Sequence, residues 1–133
     1  MDNQTAHEVS QWLLKADHDL RSAKRLMSQG EDEPLLDTAV YHCQQAAEKA
    51  LKAYLTAHGV TFPKIHLLTP LVTLCSDINK SFLELLDAAE ILTPLATEFR
   101  YPGDILEPDP SDADEAYRIA EDVVQFVISK LKE

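Results

Sequence analysis

The stretch from Pro34 to His58 constrains this chain more than any other. Leu36, Val40, Cys43, Ala47, Ala50, Leu51 and Tyr54 recur there at helical spacing, with no breaker before Gly59. Glu31-Asp32-Glu33 places negative charge at its start, Pro34 suits an early helical position and Gly59 is a stop signal. Ala39, Ala46 and Ala53 form a second edge of small residues, where another helix can approach closely. A helix with two usable faces belongs at the centre of a helical protein.

The remaining elements follow the same periodicity. Thr5-Ala6-His7-Glu8 reads as a capping box, and Val9, Trp12, Leu13, Ala16, Leu20, Ala23 and Met27 carry a first helix to Gly30. Thr69-Pro70 opens a short third helix ending near Ile78, and Ser81-Phe82-Leu83-Glu84 opens a fourth with Leu85, Leu86, Ala89, Leu92, Ala96 and Phe99 on one side. Pro94 interrupts that pattern, which predicts a kink or a restart capped by Thr93, before an end at Arg100-Tyr101-Pro102-Gly103. Ser111-Asp112-Ala113-Asp114 caps a last helix with stripe Ala116, Ala120, Val123, Val124, Val127, Ile128 and Leu131. Only 3 glycines are present, too few for a fold built on tight hairpins. The expected architecture is all-α: five helices in a single domain spanning residues 1–133, an up-and-down four-helix bundle core with the third helix as a short lateral addition.

Charge narrows the partners. The formal net charge is −11; residues 1–66 carry 7 basic and 9 acidic groups, and residues 67–133 carry 5 and 14, so the acidity belongs to the second half. Such a chain does not bind nucleic acid or anionic membrane by bulk attraction, and any polyanion must meet a local basic spot. The amino terminus has no signal-peptide pattern, no apolar run reaches the roughly 20 residues of a membrane span, and Cys43 and Cys75 sit in apolar helical stretches. The expectation is a cytoplasmic protein with reduced core thiols.

Glycine-rich phosphate loops, Cys-x-x-Cys pairs, His-Glu-x-x-His and Gly-x-Ser-x-Gly are all absent, so neither a metal nor a cofactor is expected. Tyr41, Gln45, Glu48 and Lys52 are four, three and four residues apart and line one stripe of the second helix, beside its apolar face. That stripe is either the wall of a polar cleft or a core-edge tyrosine with an ordinary Glu48–Lys52 pair. The connector from Gly59 to His66 is too apolar for a free linker, so Val60, Phe62 and Ile65 should pack down and direct Lys64 and His66. His66 can bind phosphate, move a proton, ligate a metal or serve as a structural hydrogen-bonding group. Arg100 and Tyr101 join a guanidinium suited to phosphate with a ring that can stack on a base, or simply answer a helix dipole. Arg21, Lys24 and Arg25 read as a solvated face, and His7, His18, His42 and His58 as surface or boundary residues.

The block from Tyr41 to Leu55, containing Gln45-Ala46-Ala47-Glu48-Lys49-Ala50-Leu51-Lys52, then His66-Leu67-Leu68 and Arg100-Tyr101-Pro102, resembles the HEPN family of small helical proteins. Trp12, Ala16, Asp19-Leu20 and Ala23 fit the family's first helix. The resemblance implies a helical bundle, commonly a homodimer, and in many members a two-component, toxin–antitoxin-like pairing with a minimal nucleotidyltransferase; other members bind nucleotides or cut RNA. The family's ribonuclease branch uses an arginine followed four to six residues later by histidine, and none of Arg21, Arg25, Arg100 or Arg118 has a histidine in that window. The likeness is therefore to the nucleotidyltransferase-associated branch. It implies a noncatalytic binding protein, with Tyr41, Gln45, Glu48, Lys49, Lys52, His66, Arg100 and Tyr101 as the candidate nucleotide or partner site. A divergent metal-independent ribonuclease using His66, with RNA as its ligand, and a dimeric assembly scaffold stand as alternatives.

Overall fold

A computed structural model describes residues 1–28, 30, 33–99, 102 and 107–133. Among these residues the chain is all helical: α1 (Asn3–Met27), α2 (Leu36–Ala57), α3 (Leu68–Ile78), α4 (Leu86–Leu92) and α5 (Pro110–Leu131), with 3-10 turns at Lys80–Leu85 and Thr93–Ala96 on either side of α4. None of the described helices is long and apolar enough to cross a membrane.

α2 is the central element, packed against α1, α3 and α5. It runs antiparallel to α1, since Leu26 meets Leu35, Asp19 meets Lys49 and Trp12 meets Lys52 in opposite chain order. Val40, Cys43, Ala47, Ala50, Leu51 and Tyr54 of α2 join Ala16, Leu20 and Ala23 of α1 and Ala116, Ala120 and Val127 of α5 in one core. Ala39, Ala46 and Ala53 have no exposed surface, so the small-residue edge is used up within the chain and is not a dimer face. Burial pushes the Cys43 and Cys75 thiols up to about 12, so both remain protonated, non-nucleophilic core groups at neutral pH.

Several boundaries depart from the sequence reading. The N-cap of α1 is Asp2, whose carboxylate accepts from the Thr5 N–H at 2.7 Å, so Thr5 is inside the helix and not its cap. Ser28 leaves helical geometry and ends α1 before Gly30. Pro34 precedes α2, whose cap is Leu35. α3 begins at Leu68, one residue before the expected Thr69 cap. Asn79, not Ser81, caps the next turn, its side chain accepting from the Ser81 N–H at 3.0 Å. Asp109 caps α5 in a reciprocal capping box with Asp112, two residues earlier than Ser111. The expected fourth long helix is instead a short α-helix between 3-10 turns. Pro94 breaks it as anticipated, and the Thr93 hydroxyl donates back to the Ala89 carbonyl (2.7 Å) while accepting from the Leu68 N–H (3.2 Å).

The stop after α2 sets the path of the connector. His58 is the C-cap, Gly59 has φ +68°, and the Gly59 and Val60 N–H groups return to the carbonyls of Thr56 and Leu55, a Schellman ending. This turn sends residues 60–67 back over the seam between α1 and α2.

Candidate functional site

The seam between α1 and α2 is polar over part of its length, although it lies inside the protein. Gln44, Gln45, Glu48 and Lys52 are all buried on α2, and Asp19 is buried on α1. Three residues of the stripe read as lying beside the apolar face are thus interior, and Tyr41 is half-buried. Buried charge is tolerated only when paired and hydrogen-bonded, and here it is.

Glu48 is the node. One carboxylate oxygen accepts from the Lys52 ammonium at 3.0 Å, and the other from Gln44 Nε2 at 3.3 Å, with His66 Nδ1 3.1 Å away. Gln44 Nε2 also donates to the His66 carbonyl at 2.8 Å, and Gln45 Nε2 donates to Gln44 Oε1 at 2.8 Å. The loop end at His66 is therefore held by α2 at both its backbone and its ring. A carboxylate paired with an ammonium has no proton to give, so Nδ1 carries the proton and Nε2 is the atom presented outward. The contrast in exposure is sharp: the Glu48 side chain is 4% exposed and the His66 side chain 74%.

The Lys52 ammonium stands 5.7 Å from the Trp12 ring centroid and 5.5 Å from that of Phe62, within cation–π range of both. Trp12 and Phe62 meet edge to face at 6.1 Å, so the loop is also anchored to α1, as the apolar connector predicts. A second carboxylate cluster lies further along the seam. Asp19 accepts from Lys49 Nζ at 2.6 Å and sits 2.8 Å from His42 Nδ1, tying α1 to α2. The Tyr41 ring stands edge-on to His42 at 5.5 Å.

The structure brings Gln45, Glu48, Lys52 and His66 into one connected network. Lys49 belongs to the Asp19 cluster, with Tyr41 beside it through His42. Arg100 and Tyr101 lie outside the described residues. Lys49 and Lys52 already have carboxylate partners, which leaves the His66 ring as the outward-facing polar group of the network. Sequence reasoning missed Gln44, Trp12 and Phe62 as members of the Glu48 network, and Asp19 and His42 as members of the second cluster. The available signal was spacing: Trp12, Ala16, Asp19 and Ala23 step by four, three and four, placing a carboxylate in an otherwise apolar row. Among the described residues no group of three or more His, Cys, Asp or Glu could hold a metal ion.

A sequence model of the HEPN domain matches residues 9–131. No curated protein matches the chain. TT1696 from Thermus thermophilus is similar in structure, with a TM-score of 0.75 at 27% identity over 92% of this chain and 97% of that one. ST0689, an archaeal HEPN homologue, gives a TM-score of 0.69 at 27% identity over 92% and 96% of the two chains.

Proposed function

Because the chain belongs to the HEPN domain family, we propose that it is the binding member of a cytoplasmic two-component, toxin–antitoxin-like pair, partnering a minimal nucleotidyltransferase and holding a phosphate-bearing nucleotide at His66. One observation carries this reading: a largely exposed imidazole whose Nδ1 is pinned by a buried carboxylate. Pinning removes the rotational freedom that a surface histidine would otherwise lose on binding, so Nε2 meets its ligand preorganised. Protonated, the ring donates a charge-assisted hydrogen bond to a phosphate oxygen. Leu67 beside it is 53% exposed and supplies apolar contact area for a protein partner. The lack of an Arg-x4–6-His pair favours binding over RNA cleavage.

The test is co-expression with a minimal nucleotidyltransferase, followed by co-purification and light scattering. A stable complex of the two chains, built on a homodimer of this one and weakened by Leu67→Asp, is expected. Two proteins that elute separately under all salt conditions would refute the pairing.

A second reading, a divergent metal-independent ribonuclease, draws on the same contact, since a carboxylate behind Nδ1 is what an acid–base histidine needs. It requires RNA to be cut by the wild type and spared by His66→Ala. RNA left intact by the wild type ends it.

A further inference from the structure

The chain has 5 histidines, and the structure places them in three settings. His7, His18 and His58 are exposed, with no carboxylate at the ring among the described residues. His42 is held at Nδ1 by Asp19 at 2.8 Å, but its side chain is 27% exposed. His66 combines the two features, since Glu48 lies 3.1 Å from Nδ1 while most of the ring faces water. We propose that His66 is a phosphoryl-acceptor site, whose Nε2 takes the phosphoryl group of an acyl phosphate; the inference rests on the reading of His66 as an outward group for phosphate and gives that atom a covalent chemistry and a regulation.

The step follows from the tautomer. With the proton on Nδ1, the neutral ring carries its lone pair on Nε2, the exposed nitrogen. That pair attacks phosphorus, and the P–N bond forms as the bond from phosphorus to the acyl oxygen breaks, its electrons leaving with the carboxylate. No proton moves. The ring becomes positively charged as it is phosphorylated, and Glu48 stands behind Nδ1 to stabilise that charge, already oriented before the reaction. Gln44 fixes the His66 backbone carbonyl at 2.8 Å, so the nucleophile is held at both ends. A P–N bond is itself energy-rich, which calls for a mixed anhydride as donor in place of a simple phosphate ester.

The surroundings admit a dianionic donor where the rest of this acidic chain repels one. Residues 57–76 contain no Asp or Glu, so all 23 acidic groups lie elsewhere in the sequence. Lys64, two residues before His66, is exposed and has no carboxylate partner among the described residues. α3 begins two residues after His66, and its N-cap, Leu67, supplies no side-chain hydrogen bond, so the helix end nearest in the chain is partially positive and uncapped by an anion. Phosphorylation occupies the Nε2 that the nucleotide reading assigns to a ligand, so the two occupants exclude each other.

The experiment incubates the full chain with acetyl phosphate and follows every histidine by intact-mass and peptide mass spectrometry under alkaline conditions, where P–N bonds survive. One phosphoryl group per chain is expected, at His66, formed roughly tenfold or more faster than at His7, His18, His42 or His58. His66→Gln should lose it. Similar rates at all exposed histidines, or wild-type phosphorylation of His66→Gln, would overturn the acceptor site. Calorimetric titration of ATP into unmodified and phosphorylated protein keeps the two readings apart. Selective phosphorylation of a protein that gives no heat with ATP would support the acceptor site and remove the nucleotide reading. Heat from ATP without selective phosphorylation would overturn the acceptor site alone. Where both occur, phosphorylation should weaken ATP binding about tenfold or more, the loss of one charge-assisted contact, and unchanged affinity would overturn the regulation.

Discussion

Glu48 shows how much one side chain is asked to do. It neutralises a buried ammonium, accepts from a buried amide and orients an exposed imidazole, so its removal and that of His66 should have very different consequences. Glu48→Gln leaves Lys52 buried without a counter-charge, a change that costs about 3 kcal/mol or more in comparable buried pairs. His66→Ala removes one hydrogen bond at a ring already facing water and should cost no more than about 1 kcal/mol. Urea unfolding of the two variants checks the difference. Equal losses would mean that His66 is a structural clamp and not a presented group. At this scale the sequence showed the Tyr41, Gln45, Glu48 and Lys52 row but not that its last three members were interior. A polar row beside an apolar one is ordinarily solvated, and only the approach of α1, with Asp19 in its own buried row, closes water out. Gln44 is less visible still, because its interior partner is a backbone carbonyl 22 residues away.

Elements were legible where periodicity is long, and their ends less so. α1, α2 and α5 match the expected runs, since each buries a stripe sustained over many turns. The caps moved because Asp2, Asn79 and Asp109 compete with the neighbouring Thr5, Ser81 and Ser111, and the incoming chain direction decides which side chain reaches the open N–H groups. The fourth helix was overestimated because its apolar pattern persists through Pro94 while the backbone cannot. Gly59 is the ending that sequence located, and it bears on the site because it aims the loop carrying Phe62 and His66. A Cβ at Gly59 meets nothing within 4 Å, so Gly59→Ala is a test of backbone conformation alone. At φ +68° it should destabilise the protein by about 1 kcal/mol. Gly30→Ala, also in open space and without a positive φ, should be neutral or slightly stabilising. Thermal unfolding of the two variants makes the comparison; similar melting temperatures would contradict the Schellman assignment.

For the whole molecule, the net charge of −11 and the pairing of both site lysines with carboxylates point the same way. A broad basic surface for RNA is not what this fold offers among its described residues. Lys49 and Lys52, attractive in sequence as phosphate ligands, are held by Asp19 and Glu48, and their role is to shape and brace the seam. What remains among the described residues is a small, braced site with one outward imidazole, for which the proposed occupant is one phosphate-bearing molecule. Its direct test is calorimetric titration of ATP into the purified protein and into His66→Ala. The expected result is saturable binding with one site per chain, weakened about tenfold or more when the charge-assisted contact is lost. Identical affinity in the two proteins, or no binding by the wild type, would contradict a phosphate site at His66.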